Sequence, residues 1–168
     1  VGDSIRFVKI GLELYTAAGP AIVEKALAQG KRVFLDLKFL DIEETVRRAT
    51  ARVAGMGVDF LTIHANRKAL TAAVEARGAR REDGLKLLAV TVLTSLTDAD
   101  LAEGGIHDTA ARHALSLARA TAASGLDGVV CSAVENQRRR DVIRRTWGSL
   151  SASGRLRVVF VLGRSPAG

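Results

Sequence analysis

The sequence is poor in cysteine and in long apolar runs, and each shortage excludes a class of protein. Its single cysteine, Cys131, excludes an internal disulfide and a thiolate metal cluster. Because Cys131 lies within the apolar run GVVCSA, we expect a buried, unreactive thiol. No run of 18 or more apolar residues occurs, so the sequence predicts no membrane span. The first residues, VGDSIRF, lack the basic and then apolar layout of a signal peptide, and together these features favour a cytoplasmic protein.

Aromatic residues are also scarce, which bears on the meaning of the positive charge. The formal net charge is +7, whereas aromatic residues make up only 4% of the chain. The densest basic segment, residues 138–145, has no aromatic side chain among its arginines, although proteins that bind single-stranded nucleic acid usually offer stacking platforms. We interpret this segment as the solvated face of a helix with Val142 and Ile143 on its apolar side. The sequence therefore predicts no nucleic-acid partner, and its basic balance suits an anionic small substrate.

The glycine-rich motifs of nucleotide-binding folds are missing as well. Neither G-x-G-x-x-G nor G-x-x-x-x-G-K-[ST] follows a predicted strand, which argues against dinucleotide-binding and P-loop folds. The sequence contains instead a series of apolar, β-branched runs without polar alternation, typical of strands buried on both faces of a parallel sheet. These runs cover residues 7–10, 33–37, 60–63, 87–93, 128–131 and 158–162.

Amphipathic helices are predicted between these strands, and the alternation indicates an α/β architecture with right-handed crossovers. Gly19-Pro20 opens one helix, and Gly57 closes the next, whose inner stripe runs from Val46 to Met56. Two further stripes cover residues 70–74 and 111–118. The pattern fits either a barrel or an open doubly wound sheet, and composition does not separate the two.

Charged residues follow one of the buried strands, at the point where it ends. Residues 33–42 read VFLDLKFLDI, so an apolar strand runs directly into Asp36, Lys38 and Asp41. Period-two geometry puts Asp36 and Lys38 on one face, and Lys9 lies within the preceding apolar run. Each lysine alone is explained by a structural ion pair with Asp36 or by a side chain that extends to solvent. Four charges at adjacent strand ends favour a functional cluster, which in a barrel lies on the catalytic face.

These segments resemble the orotidine 5′-phosphate decarboxylase family. The family carries a lysine on its second strand and D-x-K-x-x-D-I-x-x-T at its third, and this sequence has both, ending in Thr45. The segment LLAVTVLTS is similar to the family's fifth strand, GVVCSA to its sixth, and VLGRS to its eighth with a phosphate-contacting Gly-Arg. The resemblance implies a (β/α)8 TIM barrel. It also implies conversion of orotidine 5′-phosphate to uridine 5′-phosphate, the last step of de novo pyrimidine nucleotide synthesis, with no metal and no cofactor.

The resemblance further implies a role for each charged residue. Lys9 would hold Asp36 and touch the ribose, Asp36 would lie beside the substrate carboxylate, and Lys38 would donate a proton to C6 once CO₂ leaves. Asp41 would reach across the interface of a homodimer into the partner's site. His64, at another strand end, is predicted to line the site rather than to catalyse.

The family also implies a set of residues that bind the substrate. Two of them, Ile42 and Thr45, would accompany Asp41 across the dimer interface. The others would contact the pyrimidine (Thr94 and Ser95) and the phosphate (Gly163 and Arg164).

Three departures from the family pattern are visible. The family's first strand, an Ala-Leu-Asp segment, is absent before Val1, and the glycine-rich phosphate loop between its seventh and eighth strands is missing. We therefore expect residues 1–168 to form a single but incomplete barrel domain, with segments joined at Phe160–Val161 and at Ser165–Pro166. Glu43-Glu44 replaces the family's usual Pro-Asn or similar pair and adds negative charge near the loop expected to cross the dimer interface.

Two other functions compete with this interpretation. Ketogulonate-phosphate decarboxylases and hexulose-phosphate synthases share the barrel and an Asp-x-Lys-x-x-Asp, but they use Mg²⁺ and sugar phosphates. The endings D-I-x-x-T-V and L-T-S favour the nucleotide enzyme. A non-catalytic, decayed barrel that acts as a basic interaction module is the second alternative, although a decayed site need not retain all four charges.

Overall fold

The structure, a computed structural model, describes residues 4–79, 84–93, 95–132 and 157–161. Within these residues it contains six strands and six helices. The strands are β1 (Phe7–Gly11), β2 (Arg32–Phe39), β3 (Phe60–His64), β4 (Lys86–Val90), β5 (Gly128–Ser132) and β6 (Arg157–Val161). The helices are α1 (Leu12–Ala18), α2 (Ala21–Ala28), α3 (Glu43–Ala54), α4 (Arg67–Arg77), α5 (Asp98–Glu103) and α6 (Ala110–Ala123).

The strand order distinguishes the two architectures that composition leaves open. All six strands lie in one sheet in chain order, and each pairs in parallel with the next. A doubly wound sheet reverses its strand order at a switch point, whereas a barrel adds each strand beside the last. The fold is therefore α/β with the winding of a (β/α)8 barrel, and this prediction is confirmed.

The core lies between the sheet and the helices that cover it. Strand residues such as Leu35, Leu61 and Leu87 are fully buried, and α4 buries Leu70 against them. Full burial of a leucine side chain stabilises the fold by about 1.5–3 kcal/mol. Strands covered on both faces bury side chains on both sides, which explains why their sequences are continuous apolar runs. No helix in the described part of the chain is long and apolar enough to cross a membrane.

Several element boundaries differ from the sequence-based expectation. The run expected to extend to residue 93 leaves the sheet after Val90, where its pairing with β3 ends. Helix α3 ends at Ala54 with Gly55 as its C-cap, and Gly57 takes a left-handed φ of 79° two residues later. The helix expected to open at Gly19-Pro20 begins at Ala21, with Pro20 as its N-cap.

Two helices were not predicted. Helix α1 has seven residues, none of them buried. Helix α5 begins with a capping box in which Thr97 and Asp100 exchange hydrogen bonds, a signal that is readable from the sequence. Val161, expected to begin another strand, is the last residue of β6. The expected basic helix face at residues 138–145 and the expected junction at Ser165–Pro166 lie outside the described residues.

An aspartate contact ties the amino end of β2 to the loop before β3. The backbone N–H of Asp59 donates to the carbonyl of Val33 at 2.9 Å, and the N–H of Val33 donates to Asp59 Oδ2 at 2.9 Å. Arg32 Nε donates to the other carboxylate oxygen at 2.7 Å. The left-handed Gly57 two residues earlier lets the chain turn into this position. We call this arrangement the Asp59 contact.

The same arrangement recurs between β4 and β5 and is called the Asp127 contact. The backbone N–H of Asp127 donates to the carbonyl of Leu87 at 3.0 Å, and the N–H of Leu87 donates to Asp127 Oδ2 at 2.9 Å. Arg77 pairs with the same carboxylate, and Gly125 again has a left-handed φ of 79°. A G-x-D segment before a strand is thus a repeated device that fixes the strands at the edge opposite to their carboxyl ends.

Candidate active site

Charged and polar side chains meet at the carboxyl ends of the first three strands. Lys9 comes from β1, Asp36 and Lys38 from β2, and Thr62 and His64 from β3. Because the strands are parallel and neighbouring, their carboxyl ends lie at one edge of the sheet, which is the catalytic face of a barrel. The pairing of Gly11 with Asp36 and of Leu35 with Leu61 brings these ends into register.

The Asp36 carboxylate is the centre of this cluster. It is 5% exposed and accepts hydrogen bonds from Lys9 Nζ at 3.0 Å, Lys38 Nζ at 2.9 Å and Thr62 Oγ1 at 2.9 Å. Burial alone would raise the pKa of this carboxyl. The two ammonium groups and the hydroxyl nevertheless hydrogen-bond its ionised form, so the pKa of Asp36 lies below the ordinary value of 3.8. The carboxylate is therefore ionised at neutral pH.

The two lysines differ from Asp36 in their access to solvent. The side chains of Lys9 and Lys38 are 44% and 38% exposed, whereas that of Asp36 is 7% exposed. Two ammonium groups and one carboxylate leave the three side chains with a net charge of +1. A buried anion thus presents two cations toward solvent, an arrangement that can bind an anionic small molecule.

The backbone at Lys38 departs from strand geometry. Its φ is 51°, the single positive value at a non-glycine residue in the described part of the chain. The pairing of β2 with β3 also shifts, because Leu35 is opposite Leu61 whereas Phe39 is opposite Ile63. The Lys38 N–H donates to Thr62 Oγ1 at 2.9 Å instead of to a backbone carbonyl. The sequence correctly predicts that Asp36 and Lys38 lie together, but it indicates neither this irregularity nor the contacts of Thr62.

Asp41 and the residues that follow it lie on an exposed loop. Asp41 Oδ1 accepts a hydrogen bond from the N–H of Ile42 at 2.7 Å, and no hydrogen bond or ion pair joins Asp41 to the Asp36 cluster among the described residues. Ile42 is 73% exposed and Leu40 is 60% exposed. Thr45, in the first turn of α3, is exposed too. The structure therefore brings three of the four predicted charges together within one chain, and Asp41 faces outward.

His64 ends β3 beside the cluster and is half-buried. Burial and then the positive charge of Lys38 lower the pKa of His64 below its ordinary 6.5, so its imidazole is neutral at pH 7. In the described part of the chain, no group of three or more His, Cys, Asp or Glu side chains is placed to hold a metal ion.

The structure describes one of the four remaining predicted binding residues. Ser95 is exposed in the turn between β4 and α5. Thr94, Gly163 and Arg164 lie outside the described residues.

A family model and two named relatives point to the same protein family. Residues 1–156 match the model of the Orotidine 5'-phosphate decarboxylase / HUMPS family. A Rhodopseudomonas palustris protein named orotidine 5'-phosphate decarboxylase is 45% identical over 143 residues, which are 85% of this chain and 60% of that protein. A Methylobacterium radiotolerans protein of the same name is 47% identical over 135 residues, 80% of this chain and 57% of that protein.

A solved structure with the same name supports the fold. The orotidine 5'-phosphate decarboxylase of Lactobacillus acidophilus superposes with a TM-score of 0.70 at 37% identity, over 81% of this chain and 63% of that one. The chain spans about 60% of the length of the curated relatives that it matches. Since the family model matches most of the sequence, this chain belongs to the Orotidine 5'-phosphate decarboxylase / HUMPS family.

Proposed function

We propose that this protein decarboxylates orotidine 5′-phosphate to uridine 5′-phosphate without a metal or organic cofactor. The observation that carries the proposal is the Lys9–Asp36–Lys38 cluster at the carboxyl ends of β1 and β2. The relatives named for this reaction, described above, support it. We also propose that residues 1–168 belong to one (β/α)8 barrel domain of a cytoplasmic enzyme, in keeping with its single cysteine and its proposed nucleotide substrate.

The reaction needs a site that stabilises negative charge and delivers a proton. Loss of CO₂ from C6 of the pyrimidine leaves a carbanion with little resonance relief. In the proposed mechanism the Lys38 ammonium, held at 2.9 Å from Asp36, stabilises this charge and then donates its proton to C6. The bond from C6 to the carboxyl carbon breaks, its electron pair stays on C6, and the new C6–H bond takes that pair.

Asp36 has two proposed tasks. Its ionised carboxylate orients both ammonium groups, through bonds of 3.0 and 2.9 Å. It also lies beside the substrate carboxylate in the proposed complex, where repulsion between the two anions is relieved when CO₂ departs. Lys9 compensates part of that repulsion and contacts the ribose.

The charge cluster alone is too weak to account for a large acceleration. One ion pair near a surface is worth about 4 kcal/mol at an effective dielectric constant of roughly 20. Large enzymatic accelerations correspond to as much as about 23 kcal/mol of barrier reduction. Binding energy from groups remote from C6 must supply the difference. We assign phosphate binding to Gly163 and Arg164, and pyrimidine binding to Thr94 and Ser95.

The outward position of Asp41 supports a shared site in a homodimer. Ile42 and Leu40 are large apolar side chains that remain more than half exposed in the isolated chain. Contact with a second copy would bury them and stabilise the assembly. We propose that Asp41, with Ile42 and Thr45, completes the partner's site in this way.

The proposal is tested by adding the purified protein to orotidine 5′-phosphate in EDTA and following the ultraviolet absorbance of the substrate. Loss of that absorbance, with uridine 5′-phosphate identified by chromatography, is the expected result. Turnover that depends on added Mg²⁺ and occurs with sugar phosphates but not with orotidine 5′-phosphate contradicts the proposal. Absence of turnover with either substrate class contradicts it as well.

A further inference from the structure

The hydroxyl of one buried threonine connects the two halves of the charged cluster. Thr62 on β3 is fully buried, and its Oγ1 accepts from the backbone N–H of Lys38 at 2.9 Å. The same oxygen donates to Asp36 Oδ1 at 2.9 Å. Because a hydroxyl has one proton to donate, that proton is committed to the carboxylate. Asp36 Oδ1 also accepts from Lys38 Nζ, so Thr62, Asp36 and Lys38 form a closed ring of hydrogen bonds.

The backbone of β2 explains why such a contact is needed. From Leu35 to Phe39 the strand advances four residues, while its partner advances only two, from Leu61 to Ile63. The extra residues interrupt the regular ladder, and Lys38 takes a left-handed φ of 51° that side-chain-bearing residues rarely adopt. A strained conformation persists only where its surroundings hold it. Here the Thr62 oxygen replaces the carbonyl that the Lys38 N–H would otherwise meet.

We propose that Thr62 is a positioning residue for the decarboxylation, because it fixes both the backbone of Lys38 and the carboxylate that orients the Lys38 ammonium. The inference rests on the proposed function of the cluster. Thr62 is fully buried and acts through its two neighbours.

A second buried threonine provides a matched control. Thr50 on α3 is also fully buried, but its Oγ1 has no hydrogen-bond partner among the described residues. A Thr50→Val substitution therefore removes a buried hydroxyl of the same kind without touching the cluster. Any effect that Thr62→Val shares with Thr50→Val reflects the loss of a core hydroxyl and not the positioning of Lys38.

The experiment compares kcat, KM and the pH profile of Thr62→Val, Thr62→Ser and Thr50→Val. Loss of a hydrogen bond to a charged group predicts that Thr62→Val lowers kcat roughly 10- to 100-fold while KM changes little. The acid limb of its kcat profile should move to higher pH, because the Thr62 hydroxyl helps to lower the pKa of Asp36. Thr62→Ser should restore kcat, and Thr50→Val should match the wild type. A Thr62→Val variant with wild-type kcat and pH profile overturns the proposal, as does a folded Thr62→Ser that remains impaired.

A readout independent of turnover separates this proposal from the proposed function. Hydrogen exchange of the Lys38 amide, measured by NMR, should be roughly 10- to 100-fold faster in Thr62→Val than in the wild type or in Thr62→Ser. Unchanged exchange overturns the positioning role even if turnover falls. A different outcome is that the wild type fails to decarboxylate orotidine 5′-phosphate while the exchange result holds. In that case the proposed reaction is wrong, and the role of Thr62 in that reaction falls with it, although Thr62 still fixes the backbone of Lys38. If Thr62→Val does not fold, Thr62→Ala, which also removes the hydroxyl, takes its place in this comparison.

Discussion

The two aspartate contacts at the amino ends of the strands share the same backbone hydrogen bonds, but their arginine–aspartate pairs differ in burial, which allows a test of what burial contributes. In the Asp127 contact, the arginine and aspartate side chains are 6% and 5% exposed. In the Asp59 contact they are 59% and 21% exposed. We expect removal of Arg77 to destabilise the fold far more than removal of Arg32.

The magnitudes follow from the environment of each pair. Arg77→Met removes the buried guanidinium from the Asp127 contact, and breaking a buried ion pair by removing one partner costs about 3–5 kcal/mol. Arg32→Met removes an exposed pair worth about 0.2–1 kcal/mol. It also removes a contact 5.5 Å from the centre of the Phe7 ring, and an exposed cation–π contact adds about 0.5–1 kcal/mol. The predicted losses in unfolding free energy are therefore about 3–5 kcal/mol for Arg77→Met and about 0.7–2 kcal/mol for Arg32→Met.

Urea unfolding followed by circular dichroism measures both losses under the same conditions. A lower midpoint with an unchanged m-value identifies a change in stability rather than in the extent of unfolding. The double variant Arg77→Met/Asp127→Asn should lose less free energy of unfolding than the sum of its single variants, because it removes both charges of the buried pair together. If Arg77→Met and Arg32→Met lose equal free energy, the reasoning from burial is refuted.

Three further predictions concern the candidate site. Lys38→Ala should abolish turnover while retaining the circular dichroism spectrum, whereas Lys25→Ala, at an exposed position of α2, should leave both unchanged; retained turnover in Lys38→Ala contradicts the assignment of the proton donor. Inactive Asp41→Asn and inactive Lys38→Ala should regain about a quarter of wild-type activity when unfolded and refolded together, since half of the randomly formed dimers then carry one intact site. No recovery argues against a shared site. Because the pKa of His64 is lowered in the folded protein, the imidazole of the unfolded chain binds a proton before that of the folded chain as the pH falls below 6.5. The free energy of unfolding should therefore decline as the pH falls below 6.5, and less steeply in His64→Gln; identical slopes in the two proteins contradict this prediction.

Much of the sheet could be predicted because the burial of a strand is visible in its own short stretch of sequence. The runs at residues 33–37 and 60–63 lie within β2 and β3, since strands covered on both faces need apolar side chains at most positions. The run at residues 7–10 lies within β1, where Ile10 is the buried residue. The approach of Lys38 to Asp36 is predicted from their separation of two residues, and the pair is joined at 2.9 Å although the backbone of Lys38 departs from strand geometry. The composition also indicated an anionic small substrate, which is consistent with the net positive charge of the cluster.

The side-chain contacts between distant elements depend on which strands are neighbours, and a local sequence pattern does not contain that information. Thr62 reads as an ordinary core residue of LTIH, yet it bonds to Lys38 and Asp36, which lie 24 and 26 residues away. Arg77 reads as a basic residue at the end of a helix, yet it pairs with Asp127 across 50 residues of sequence. Local periodicity determines which face of an element is buried. Hydrogen-bond partners between elements are set by strand order and register, which only the packed tertiary structure decides.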